Sequence, residues 1–191
     1  MPNARNWSPL ACLIVGAIAS PLRADFTTII NVPPTVLTQS PTTVGAGTQV
    51  NMLNGANVNV ELDVGTGGEV NISGGKFSNT IFTNGALNVS GGVSDLLFLT
   101  DGQMSLSGGA VDWVRMGGGT LNMTGGSVAR VLDRFQGRLD VGSLSTANIS
   151  GGTFGLLYAT DSVATVNISG GEYRLNGVPI AGLGNVGDSP D

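Results

Sequence analysis

Two aspartates stand 17 residues apart in matching surroundings, Asp95 in VSDLL and Asp112 in AVDWV. Carboxylates held about 5 Å apart suit a retaining glycosidase, or the oxygen ligands of a Ca²⁺ ion. The chain contains no histidine, which removes Ser-His-Asp and Cys-His nucleophile systems and the commonest zinc ligand. Any catalysis would rest on carboxylates, Lys or Tyr. Against a catalytic pair, both aspartates follow a glycine pair, where exposed Asp is favoured for turn reasons alone. Ser78 and Ala129 hold the same place in the neighbouring copies, so no further acid extends the column. The expectation is a protein that is not an enzyme and needs no metal or cofactor. A polysaccharide lyase or hydrolase working through Asp95 and Asp112 is the alternative.

A second set of residues suits binding. Phe98, Trp113, Arg115 and Tyr158, with Arg130, recur at corresponding places of successive copies. Aromatic rings on one face of a rod suit sugar stacking or a partner surface. A facing error of one residue would instead put these side chains in the core. A third set is Asn-x-Ser/Thr at Asn71, Asn88, Asn122, Asn148 and Asn167, which formally matches an N-glycosylation acceptor. An Asn column running beside a Ser column produces that match as a by-product. Stacked Asn side chains that hydrogen-bond along the rod are the physical reading, in a polar grid able to order water or lie along a polysaccharide.

These residues are positioned by a repeat. VNISGG occurs at 70–75 and 166–171, with LNVSGG at 87–92, MSLSGG at 104–109, LNMTGG at 121–126 and ANISGG at 147–152. Successive glycine pairs lie 17, 17, 17, 26 and 19 residues apart, and a degenerate copy, VNMLNG at 50–55, precedes the first by 20. Turn dipeptides (Asn84-Gly85, Asp101-Gly102, Gly118-Gly119 and Gln136-Gly137) fall between the pairs. Each unit reads strand, tight corner, strand, turn. Two short strands cannot bury a core alone, but stacked units bury their inward faces on one another. The fold class is all-β, a single-stranded β-solenoid with rungs of about 17 residues spaced by about 4.8 Å.

Alternation assigns the faces. Val70/Ile72, Leu87/Val89 and Leu121/Met123 point inward, and after the corner so do Leu97/Leu99, Val114/Met116 and Thr80/Phe82. Ile81, Phe98, Arg115, Leu132 and Tyr158 then form one outward column, and Leu96, Trp113, Arg130 and Leu156 another. GRLDV at 137–141 reads as a repeat strand that lost its glycine pair, with Asp140 interrupting the Asn column as Ser105 does. It leaves the 26-residue interval as either a half-length rung or a loop bulging from a normal one.

The chain has 191 residues, 31 of them glycine, with 11% charged and 5% aromatic residues and a mean hydropathy of +0.24. Residues 10–19 (LACLIVGAIA) form an apolar run after Arg5, with small residues at Ala17, Ala19 and Ala24. That pattern reads as a signal peptide over 1–24; ten apolar residues are too few to span a bilayer, which takes about 20. No integral membrane span is expected after its removal. Cleavage would remove Cys12, the single cysteine, and leave 6 basic against 13 acidic residues, a net of −7. Such a charge opposes nucleic acid and anionic lipid as partners. Residues 25–47 lack the repeat and read as an N-terminal cap, 48–176 as the solenoid, and 177–191 as a C-terminal cap or tail.

The h-N-h-S-G-G unit at 70–75, 87–92, 121–126 and 166–171, each followed by a second strand, resembles secreted bacterial β-helix repeat proteins. It is similar to the passenger regions of autotransporter adhesins of the AIDA and pertactin type. TTIINVPP at 27–34 and GEYRLNGVPI at 171–180 also resemble the flanks of secreted VNISGG-repeat proteins. The resemblance covers roughly residues 48–180 and implies a right-handed β-helix, secreted or on the outer cell surface. The pattern departs from a whole autotransporter in that no translocator barrel follows the last repeat. Together these readings give a non-catalytic structural or adhesive module. Its partners would be a surface polysaccharide or another surface protein; a polysaccharide-binding or polysaccharide-cleaving β-helix is the alternative.

Overall fold

The computed structural model describes residues 25–129 and 137–169, and the backbone of 173–175 and 178–180. The signal segment at 1–24, Arg130, Leu132 and most of the expected tail lie outside the described residues. The strands are β1 (Thr28–Val32), β2 (Thr42–Val44), β3 (Thr48–Met52), β4 (Asn57–Val58), β5 (Leu62–Val64), β6 (Glu69–Ile72), β7 (Lys76–Thr83) and β8 (Ala86–Leu99). They continue with β9 (Gln103–Met116), β10 (Gly119–Val128), β11 (Arg138–Val141), β12 (Ser145–Phe154), β13 (Leu156–Ala159) and β14 (Thr165–Ile168). An antiparallel pair, β15 (Tyr173–Leu175) and β16 (Val178–Ile180), follows. There is no helix among the described residues, and hence none long and apolar enough to cross a membrane.

β1, β3, β6, β8, β9, β10, β12 and β14 stack in that order, every neighbour parallel. Each step along this stack is one circuit of the chain, so the molecule is a parallel β-solenoid of about 7 turns. The rungs average about 19 residues, longer than the 17 expected. The 17-residue spacing holds from β6 to β10, as in Val70↔Leu87 and Leu87↔Met104. Nearer the N-terminus it is 20, as in Ile30↔Val50 and Val50↔Val70.

The glycine pair makes the corner, and β8 and β9 run through it as unbroken 14-residue strands. The second glycine of three successive pairs, Gly92, Gly109 and Gly126, has φ 74°, a conformation costing other residues about 1–2 kcal/mol. Inside the tube, Val50, Val70, Leu87, Met104, Leu121 and Ala147 form one fully buried column. Met52, Ile72, Val89, Leu106, Met123 and Ile149 form the next. After the corner, Leu62, Ile81, Leu97, Val114 and Leu139 close the core from the opposite side.

Three expectations are corrected. First, Ile81 is fully buried and Phe82 faces out. β7 carries one residue more than β8 between Phe77 and Thr80, and such a bulge reverses the alternation counted from the glycine pair. Second, the 25–47 stretch contains solenoid strands: β1 pairs residue for residue with β3, and β2 with β5. Third, GRLDV at 137–141 is no relic of a first strand. β11 lies between β9 and β13, so it is the second strand of its rung. The extra length of the 26-residue interval falls between Val128 and Arg138, because Val111↔Val128 keeps the 17-residue step while Trp113↔Arg138 does not.

Candidate functional site

Beyond the corner, two outward columns cross the rungs side by side. One runs Phe82, Phe98, Arg115, Asp140, Tyr158, and the other Leu96, Trp113, Arg138, Leu156. Parallel register without a shift fixes this, because each side chain sits directly over its equivalent one rung below. Phe98 and Trp113 are half-buried, Arg115 is exposed, and Tyr158 retains 44% of its surface. The outward facing of these four residues agrees with the alternation. Arg138 and Asp140 occupy the places expected for Arg130 and Leu132.

The groups are locked together. The buried Asp140 accepts a hydrogen bond from Trp113 Nε1 at 3.1 Å on one oxygen and pairs with Arg138 Nε through the other. Arg138 in turn lies over the Tyr158 ring, 4.3 Å from its centre, and over Trp113 at 5.7 Å. Hydrogen bonding to Asp140 is the main reason that the Arg138 pKa is raised above its ordinary value, with partial desolvation opposing it. Arg115 stacks over Phe98 at 5.3 Å, and Phe98 meets Phe82 edge to face at 5.5 Å. Between these groups lies a groove of about 460 Å³, to which Met116, Gly117, Gly142, Ser143 and Thr160 also contribute. Phe98, Trp113, Arg115, Arg138 and Asp140 line it, and Tyr158 joins through Arg138. Chemically it offers guanidinium donors, hydroxyls and ring surface, the set that holds a polar chain.

Sequence reasoning missed Arg138 and Asp140. RLDV alternates just as VNIS does, and periodicity alone cannot tell a first strand from a second one. The missing Ser/Thr-Gly-Gly after it was the available sign, since β6, β8, β9, β10 and β12 each carry that triplet directly after the alternating stretch.

Asp95 and Asp112 do stack, lying between the register pairs Ser94↔Val111 and Leu96↔Trp113. They are not on the surface as the turn argument expected. Asp95 is 2% exposed and Asp112 is 0%. Each is engaged by a neighbouring group, as buried carboxylates must be. Among the described residues no three carboxylate, thiol or imidazole groups converge in a manner that would hold a metal ion.

The Asn column forms the expected ladder. Asn51 donates to Asn31 at 2.9 Å, Asn71 to Asn51 at 3.0 Å and Asn88 to Asn71 at 2.9 Å. Beyond Ser105, Asn148 donates to Asn122 and Asn167 to Asn148, both at 2.9 Å. Every donor belongs to the later rung. Asp140 is no part of this column; it stands in the groove.

The geometry therefore defines a class: a parallel β-solenoid with an amide ladder on one strand face and an arginine–aromatic groove on the other. No protein-family model matches the chain, and neither a curated protein nor a solved structure does.

Proposed function

We propose that this chain is a non-catalytic β-solenoid, secreted or held on the outer cell surface. It serves there as a structural and adhesive module that grips a surface polysaccharide, or another surface protein, through the groove. The observation that carries the reading is the groove itself. On a rod with few aromatic and charged side chains, Phe98, Trp113, Arg115, Arg138 and Tyr158 gather across neighbouring rungs. Asp140, buried and doubly bonded, pins the cluster, and preorganised side chains bind with less ordering cost. The export-like N-terminus and the resemblance to adhesin passenger regions support a location outside the cell. The acidic balance of the chain opposes nucleic acid as partner. The polysaccharide-cleaving alternative draws no support from Asp95 and Asp112, whose carboxylates are buried.

Retention of the purified protein on immobilised polysaccharides, read together with release of reducing ends, tests the proposal. Retention without cleavage is expected, with Tyr158→Ala weakening it about tenfold or more, the loss typical of an anchoring aromatic residue. Cleavage that disappears in Asp112→Ala, or no retention on any glycan or surface protein, would contradict it.

A further inference from the structure

We infer that the groove selects an anionic polysaccharide, its carboxylate or sulfate group received by Arg115; this rests on the adhesive reading above. The distribution of charge carries the inference. Asp140 is the direct register partner of Arg115 on the adjacent strand, the natural place for an ion pair. Both oxygens of Asp140 are instead occupied, one by Arg138 and one by the Trp113 indole. The Arg138–Asp140 pair is thus neutral as a unit. Asp161, beside Thr160 at the margin, turns its carboxylate to the Ser143 hydroxyl and to the Val163 N–H of its own turn. Arg115 has no ion pair among the described residues and is exposed, its guanidinium spread on the Phe98 ring and lining the groove.

An exposed guanidinium that is already oriented, and whose register-partner acid is committed elsewhere, presents a planar fork for an incoming anion. Among the described residues that line the groove, Arg115 is the one cation without an ion pair, so the groove receives a single carboxylate or sulfate at a time and does so locally, against the net negative charge of the chain. Ser143 and Thr160 also line the groove; their hydroxyls donate to Asp161 and to the Val141 carbonyl, which leaves their oxygens to accept from sugar hydroxyl groups. The ring faces that a neutral sugar would stack on are partly taken by Arg115 and Arg138, which favours an anionic ligand over a neutral one.

Affinity measurements with alginate, carboxyl-reduced alginate, dextran sulfate and neutral dextran test this. The wild-type chain is expected to bind alginate or dextran sulfate and to lose most of that affinity in high salt. The carboxyl-reduced and neutral polymers should bind at least tenfold more weakly. Arg115→Gln should cost about 10- to 100-fold on the anionic polymer, as for loss of one hydrogen-bonded charge, with unchanged thermal melting, and Arg115→Lys should restore part of it. The stronger of the alginate and dextran sulfate arms identifies carboxylate or sulfate. Equal binding of the charged and neutral polymers, or an Arg115→Gln variant that binds like wild type, overturns the inference while leaving the adhesive reading intact. Binding to none of the four overturns the inference; if proteins and all other glycans also fail, the adhesive reading falls with it.

Discussion

At Gly108 an added β-carbon would fall well inside van der Waals distance of the Ser90 carbonyl oxygen on the rung below. The first glycine of each corner is therefore required by stacking, whereas the second is required by its positive φ. Replacing Gly108 by Ala drives a methyl group into backbone that cannot yield, and should destabilise the protein by about 2–3 kcal/mol in urea unfolding. Gly45 has no atom within 4 Å of the same position and no positive φ. Gly45→Ala should thus leave stability unchanged or raise it by about 0.5 kcal/mol through the unfolded chain. Leu144 is the reverse case, a non-glycine residue at φ 58° with 81% of its surface exposed. Leu144→Gly removes a strain of about 1–2 kcal/mol and returns part of it as chain entropy, so a net gain of about 0.5–1 kcal/mol is expected by the same measurement. The corner glycines were legible because the hexapeptide repeats them. Leu144 was not, because the turn leading into β10 takes its positive φ at Gly119, whereas Gly142, Ser143 and Leu144 carry no second glycine to mark the left-handed position.

Among elements, the Asn ladder and the turn at Asp161 tie successive rungs through side chains. Asn71 both donates to Asn51 and accepts from Asn88. Asn71→Ala therefore breaks two links and should cost about 1–2 kcal/mol without changing the urea m value. The Asp161 carboxylate accepts from Ser143 and from the Val163 N–H, and the Ser143 hydroxyl is the main cause of its lowered pKa. A depressed folded-state pKa means this link stabilises fully above the ordinary carboxylate range and is lost as pH falls through the depressed value. The stability difference between wild type and Asp161→Asn should accordingly shrink on going from pH 7 toward pH 2, and a constant difference would contradict the assignment. Strand existence, alternation and the ladder could all be read from VNIS and its variants. The face of Phe82 could not, since a one-residue bulge at Ser78–Asn79 leaves no compositional trace. Nor could the place of β11, since RLDV fits either strand of a rung. The burial of Asp95 and Asp112 was likewise hidden, because an acid after a glycine corner looks like a turn residue until its rung is stacked.

As a whole, the molecule is a rod of about 7 turns, whose rungs present the same faces along its length. Architecture was therefore the most legible level, because every repeat restates it. The groove was only half legible, because it depends on the one rung that departs from the 17-residue period. Arg138 and Asp140 reach their columns only after the extra length that follows Val128, and both line the groove. On the proposed function, recognition belongs to this recess and not to the amide ladder. A comparison on a glycan array of wild type, Tyr158→Ala beside the groove and Asn122→Ala on the ladder face separates the two surfaces. Wild type and Asn122→Ala are expected to bind the same glycans, while Tyr158→Ala loses about tenfold or more in affinity. Loss of binding in Asn122→Ala with retention in Tyr158→Ala would contradict it.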